Sequence, residues 1–549
     1  MDITLGLDFG THQSKLCLSY MPNNEQIYEF IEFVKPDGAK TFLLPSIIQI
    51  NKDDTISIGF VDKANCKAYS TPAPEEPEYP EEPSQKLPPR PKKVYPEKPK
   101  EEKPDWKEQL SALSKGKSKN QEQLEKWKKK CHDIDIKWKS DYYKWEVICD
   151  EIQKSHKNWQ SRVDDIKRDY ERNLSDWKAR KGNLQYCYRY FKLATFSNMY
   201  QWDRKLLLDA DTLCVWYLTY LLLFVKQSVY QKFNEKFEES VSVQMGVPSS
   251  LNTNLSKQIE YHAYKLLIAA RNLMEYFTSP EDFCSYKYQD IIEITEIPQK
   301  GILATAEDFG FIVIPEAYAG LKSITHHKRL RHGDMHILVD IGGGTTDVAF
   351  FTVNSELEPS IHCVKSFHRG LNYVFEIFCR ENTGYSISDA QELFMEDQHL
   401  FRSGIEAYTK ELNTQLSQMI NYIIHEFLNE AGDKGYHTSD LTDAMKGRPI
   451  VYCGGGSMYR MMQIRDRYFA DIKMVDKNML SISNLRNTNV DERLFPILAI
   501  SYGLSIAMLG RIEMMDAAAL FRQIVQAGPS PNEEKKQHYY SYEHGLTDL

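Results

Sequence analysis

Twice in this chain an apolar strand runs into an aspartate, turns through glycine and threonine, and resumes as a strand. The first instance is Leu5–Leu18, LGLDFGTHQSKLCL, and the second is Ile337–Phe351, ILVDIGGGTTDVAFF. Gly10 in the first turn, and Gly342, Gly343 and Gly344 in the second, let backbone amides face a phosphate with no side chain in the way. Thr11, Thr345 and Thr346 add hydroxyl donors. Asp8 and Asp340, each at a strand end, offer carboxylates to hydrated Mg²⁺, which takes a few carboxylates and keeps several waters. Asp347 is placed for supporting work beside Asp340. A single such turn is an ordinary hairpin. Two of them, one in each half of the chain, fit a phosphate-gripping cleft between two related domains. A third segment, Ile450–Met461 (IVYCGGGSMYRM), leads a strand through Gly454, Gly455, Gly456 and Ser457 into a helical pattern. That turn lets backbone lie flat against a nucleoside beside a helix N-terminus.

Around these motifs, apolar runs such as VSVQMGV, FIVIP, HILVDI and RPIVYC alternate with helical stretches, which predicts an α/β architecture. The composition changes abruptly twice. Residues 71–104 alternate proline with Glu and Lys and are expected to form an extended linker. Residues 105–184 are charged and studded with tryptophan. Trp138, Tyr142, Trp145, Cys149, Ile152, His156, Trp159, Val163, Ile166, Tyr170, Asn173 and Trp177 recur in alternating steps of four and three. They mark a heptad seam on a helix of some forty residues, about 60 Å long. Indoles are bulky for a tight two-stranded seam, so a helical hairpin, a looser coiled coil or docking on a partner all remain open. The basic stretch Lys115–Lys130 reads as a solvated helix face.

With 549 residues, 42% hydrophobic and 26% charged, the chain has ample sequence for a large core. A net charge of −9 argues against nucleic acid as the main ligand. The run Leu213–Val225 (LCVWYLTYLLLFV) is too short to span a bilayer and reads as a buried helix, so no transmembrane segment is expected. Trp202 and Trp216 read as core packing. Ten scattered cysteines without a CxxC pair, and no secretory leader at Met1–Thr4, fit a cytoplasmic setting. His326, His327, His332 and His336 read as an exposed basic loop rather than a metal site. The residues after Gly528 read as a mobile polar tail.

Taken together, the motifs resemble the actin-like ATPase superfamily, and within it the nucleotide-binding domain of the seventy-kilodalton heat-shock (DnaK-like) chaperones. LGLDFGT and VDIGGGTTDV resemble its two phosphate motifs, and CGGGS its adenosine motif. MGVPSSLN, IPEAYAGL and LAISYGLSIAML resemble its strand-plus-proline segment and two connecting helices, with Ala499 and Gly503 where the helices approach. The resemblance covers about residues 1–70 and 185–512. It implies a two-lobed fold of duplicated ribonuclease-H-like domains, with lobes at 1–70 plus 185–335 and at 336–512, and a C-terminal helix and tail at 513–549. It implies ATP or ADP with Mg²⁺ held through water by Asp8 and Asp340. Gly10, Thr11, His12, Gly342, Gly343, Gly344, Thr345, Thr346, Gly455, Gly456 and Ser457 would contact the nucleotide. Glu316, Asp340 and Thr345 would serve hydrolysis. ISIGFVDKA resembles the segment ending in the family's catalytic lysine, which nominates Lys63. Ser386–Phe394 is the candidate for the purine-contacting helix.

His12 and Gln13 depart from the family's pattern, and Met458 or Tyr459 stands where it places an arginine against adenine. The client-binding sandwich and lid are not expected. The implied function is a slow ATPase switch that signals to a protein partner through the helical arm. The alternatives are a nucleotide-dependent scaffold or self-associating filament subunit, and, more remotely, a small-molecule kinase.

Overall fold

The computed structural model describes residues 1–70, 73–100, 107, 109, 119–179, 183–197, 207–249, 253–324, 335–353, 359–367, 369–382, 384–385, 387–437, 441, 450–459, 462, 482, 484–506 and 517–527. His326, His327, His332, Trp202 and the tail after Gly528 lie outside these residues. The chain divides into two compact units, Met1–Ala68 with Gln185–Leu549, and Tyr69–Leu184.

The first unit is mixed α/β. Its larger sheet is built on β1 (Ile3–Asp8), which pairs antiparallel with β2 (Gln13–Tyr20); β2 in turn pairs antiparallel with β3 (Ile27–Phe30). On its other edge β1 runs parallel to β4 (Val241–Val247), and β4 parallel to β5 (Phe311–Pro315). A second sheet repeats the pattern. Here β6 (Met335–Ile341) pairs antiparallel with β7 (Thr346–Val353), β7 antiparallel with β8 (Pro359–Phe367), and β6 parallel with β9 (Ile450–Cys453). β1 and β6 are buried on nearly every residue, which is why they read as continuous apolar runs rather than alternating ones. In each sheet the chain turns back straight after an aspartate, and so both hairpin turns sit at the same end of corresponding strands.

The run Leu213–Val225 lies in a helix, Ala210–Phe233, that starts on an Asp209 cap accepting from the Thr212 amide and ends on Asn234 in the left-handed region. It is the one helix among the described residues long and apolar enough to cross a membrane, and 67% of its apolar window is buried inside the protein. Trp216 is fully buried and donates its indole N–H to Thr295 Oγ1 at 2.9 Å. His336 is not in a basic loop. It stands buried in β6, opposite Phe351 on β7, with the two rings stacked at 5.4 Å.

One apolar cluster draws on both sheets and on the helices Glu316–Lys322 and Phe495–Ser505. These helices meet backbone to backbone: a Cβ on Gly503 would lie 1.8 Å from the Ala319 carbonyl oxygen. Only glycine permits that approach.

The second unit holds one long helix, Lys119–Ala179, which begins well before the aromatic seam. Among the described residues no second helix pairs with it. The expected linker instead lies along it, and tryptophan indoles of the helix donate to proline carbonyls. A polyproline strand is thinner than a helix, so it fits beside indoles that would crowd a two-helix seam.

Candidate functional site

The β1–β2 register sets Asp8 opposite Lys15, and the Lys15 Nζ lies 2.9 Å from Asp8 Oδ2. The intervening turn is fixed by Ser46, whose hydroxyl donates to Gly10 O at 2.7 Å and whose amide donates to His12 O at 2.8 Å. The β6–β7 register likewise sets Asp340 opposite Asp347, with the Gly342 amide donating to Thr345 O at 2.9 Å. The amides of Leu371 and Asn372, at the start of helix Leu371–Glu381, donate to Gly342 O and Gly343 O. The two turns touch, because the His12 imidazole lies 2.7 Å from where a Gly343 Cβ would be.

Parallel pairing brings Cys453 level with Asp340, and the chain then turns at Gly454 with φ +80. Glu316 enters from the end of β5, as the first residue of its helix. It meets Lys192, which is carried by the short helix Phe191–Phe196; the two are buried and ion-paired. Lys192 Nζ also lies 5.6 Å from the centroid of the Phe9 ring.

Ligand atoms of Glu316, Asp340 and Asp347 all lie within 4.8 Å of one another, and all three residues are buried. Burial, and then the neighbouring charges of Asp347, Glu316 and Asp8, push the Asp340 carboxyl well above its ordinary range. Burial and the Glu316 charge raise Asp347 to about 7. Burial alone would pull the Lys192 ammonium down, but Glu316 and Asp8 outweigh it and leave its pKa raised. Burial, aided by the charges of Arg189 and Lys15 and opposed by a bond to Asn372, lowers His12 to about 4. At neutral pH His12 therefore offers hydrogen bonds but no charge. The cluster carries more carboxylates than cations, which is the donor set a hydrated divalent cation takes.

The structure brings Asp8, Gly10, Thr11, His12, Glu316 and Asp340 to one cleft, together with Gly342, Gly343, Thr345 and Gly455. Gly344, Thr346, Gly456 and Ser457 are not among the residues that line it. Thr346 is fully buried: its hydroxyl donates to Arg369 O at 2.7 Å and lies 2.8 Å from Tyr408 Oη. Gly344 packs toward Leu193 and Thr11, Gly456 packs on Ile341, and Ser457 donates to Gly454 O at 2.7 Å.

Lys63 is not brought to the carboxylates. It sits in a 3-10 turn capped by Asp62, more than half exposed, with its ammonium 3.7 Å from Glu392. Among the described residues, Lys192 and Lys15 are the lysines lining the cleft. Lys15 had a signal in the strand register, since alternation from the turn places it opposite Asp8. Lys192 had none, because it follows a long insertion and belongs to no motif.

At the far end of the cleft the lining is apolar. Helix Ile387–Glu396 presents Gln391, Phe394 and Met395 there, opposite Met458 and Tyr459. The Phe394 and Tyr459 rings meet edge-on at 4.7 Å, and Tyr459 Oη is 2.9 Å from Met395 Sδ.

Asp347 gives a pH-dependent prediction. The folded chain holds its proton up to about pH 7, whereas the unfolded chain releases it in the ordinary carboxylate range. Stability therefore falls as pH rises between those limits, and the whole penalty stands above them. Asp347→Asn should stabilise the metal-free, nucleotide-free protein by up to about 4 kcal/mol near pH 8 and by clearly less near pH 5. Urea denaturation at both pH values checks this; an equal gain at each would contradict a buried-charge origin.

No protein-family model matches the chain, and no curated protein matches it. Among solved structures, MreB5 of Spiroplasma citri bound to AMPPNP aligns over 92% of this chain and 96% of its own, at 9% identity and a TM-score of 0.38. The ADP-bound MreB5 structure aligns over the same shares, at 10% identity and a TM-score of 0.36.

Proposed function

We propose that the chain binds ATP with Mg²⁺ in this cleft and hydrolyses it slowly. The observation that carries the proposal is the meeting of two Asp–Gly–Thr turns with a buried Lys192–Glu316 pair beside Asp340 and Asp347. Asp8 and Asp340 would hold the hydrated Mg²⁺, which supplies charge neutralisation at the phosphate oxygens. Thr11, His12, Thr345 and the amides at Gly10, Gly342 and Gly343 would grip the phosphates. Glu316 and Asp340 would orient the attacking water, and Lys192, with Lys15, would neutralise charge developing on the terminal phosphate. The apolar end with Phe394 and Tyr459 would take the base against Gly455. The ten free cysteines fit a cytoplasmic setting.

Isothermal titration with ATP should show binding that weakens at least about 10-fold when EDTA removes Mg²⁺. Single-turnover assays should show slow phosphate release. Saturable binding of neither ATP nor ADP, with Mg²⁺ present, would end the proposal.

A scaffold or filament role suits the second unit, whose 61-residue helix makes a strut about 90 Å long. Electron microscopy with and without ATP separates this reading from a monomeric switch. Filaments that form only with nucleotide would favour the scaffold.

A further inference from the structure

Four indoles on the long helix donate to four carbonyls of the Pro-rich stretch, in strictly reversed order. Trp127 Nε1 bonds Pro96 O at 2.9 Å, Trp138 bonds Pro91 O at 3.2 Å, Trp145 bonds Pro88 O at 2.8 Å and Trp159 bonds Pro80 O at 2.8 Å. Two rises account for this register. From Trp127 to Trp159 the helix climbs about 48 Å at 1.5 Å per residue, and from Pro96 to Pro80 a polyproline II strand covers about 50 Å at 3.1 Å per residue. Seven helical residues, about 10.5 Å, nearly equal one three-residue polyproline turn of about 9.3 Å. Trp138 and Trp145, seven residues apart, therefore meet carbonyls one polyproline turn apart, on Pro91 and Pro88.

Cations on the strand complete the fit. Arg90 lies over the rings of Tyr142 and Trp145, at 5.3 and 6.0 Å from their centroids. Lys93 lies 5.1 Å from the Trp138 centroid and 2.5 Å from Asp135, which also accepts from Tyr95 Oη at 2.6 Å. Prolines lack an N–H and leave their carbonyls free as acceptors, and the stiff strand loses little entropy on docking. Indoles supply an apolar face and one donor each, which is the chemistry that recognises polyproline.

We infer that the aromatic stripe of the helix is a polyproline II-binding site, filled by the same molecule's own residues 80–96. A partner cannot read the stripe unless it displaces that strand, whose tether gives it a high effective concentration. The outer charged faces of the helix are what the occupied arm presents.

The test uses the full chain. In one variant, residues 73–100 are replaced by a Gly/Ser stretch of equal length, which vacates the stripe. A fluorescein-labelled peptide of residues 79–97 should bind this variant at least about 10-fold more tightly than it binds the wild type, measured by anisotropy. Adding Trp138→Ala and Trp145→Ala should abolish binding. Equal affinity for wild type and variant, or binding by neither, overturns the inference. A second readout avoids dependence on how the vacated helix folds. In the otherwise intact chain, Trp138→Phe with Trp145→Phe keeps the rings but removes two donors, and should speed tryptic cleavage after Lys86 and Lys93. Cleavage as fast in the wild type shows the strand undocked and overturns the inference. A doubled mass in light scattering, with the same protection, would assign the strand to a second copy and overturn occupancy within one molecule.

Discussion

Lys192→Met should lower single-turnover ATP hydrolysis by about 100- to 1,000-fold, the usual cost of removing a preorganised group that meets developing charge. Lys63→Met should leave hydrolysis unchanged. The contrast follows from where each ammonium lies. Lys192 is buried between Glu316 and the Phe9 ring, in the same cleft as Asp8 and Asp340. Lys63 is exposed and paired with Glu392 on the helix Ile387–Glu396. Methionine keeps the length of the lysine stem, so packing changes little while the charge goes. The substitution also leaves Glu316 buried without its partner, which can cost about 3–5 kcal/mol of stability. That cost must be separated from chemistry. Adding Glu316→Gln removes the stranded charge, so the Lys192→Met/Glu316→Gln pair should recover much of the stability in urea denaturation; its hydrolysis stays lost for two reasons, since Glu316 is itself proposed to orient the water. Recovery of turnover in the pair would reduce Lys192 to a structural counter-ion. Loss of turnover in Lys63→Met would restore the lysine nominated by the sequence pattern.

The parts of this site that were legible in the sequence are those made by local rules. An aspartate ending an apolar strand, followed by glycine and threonine, specifies a tight hairpin wherever it occurs, so Asp8, Gly10, Asp340 and Gly342 could be placed without any tertiary knowledge. Glu316 is legible only through the resemblance of IPEAYAGL to a connecting helix of the family, and not by a local rule. The lysine could not be placed. Which cation reaches the carboxylates depends on how the chain re-enters after the insertion, and Phe191–Phe196 carries no periodicity that announces it. Thr346 stands apart from the cleft for a related reason. One residue beyond Thr345 in the same turn, strand alternation directs its hydroxyl to Tyr408 in the core rather than to the cleft. The arm shows the same limit. The heptad seam was readable, but the identity of what covers it was not, since a polyproline strand leaves no period of its own in a sequence. The bulk of the indoles was the clue that a second helix would fit poorly.

Gly454→Ala should destabilise the nucleotide-free protein by about 3 kcal/mol or more and weaken ATP binding, whereas Gly455→Ala should change stability by no more than about 0.5 kcal/mol. The two glycines are neighbours in one turn, yet their surroundings differ sharply. Gly454 has φ +80 and ψ 166, a region that L-residues essentially avoid. A Cβ there would lie 2.2 Å from Asp340 Oδ1 and 2.5 Å from Ile341 O. The Ile341 oxygen is backbone and cannot swing aside, and the Asp340 carboxylate could yield only by leaving the cluster it shares with Glu316 and Asp347. A Cβ on Gly455 meets nothing within 4 Å. Chemical denaturation without ligand isolates this contrast, and equal stability in the two variants would contradict it. ATP titration then separates two causes of weakened binding. Gly454→Ala should lose affinity together with its Mg²⁺ dependence, because it displaces Asp340. Gly455→Ala should lose affinity with that dependence intact, because its new methyl group occupies the face on which the nucleoside is proposed to lie. Gly455→Ala binding as tightly as the wild type would move the nucleoside away from this turn.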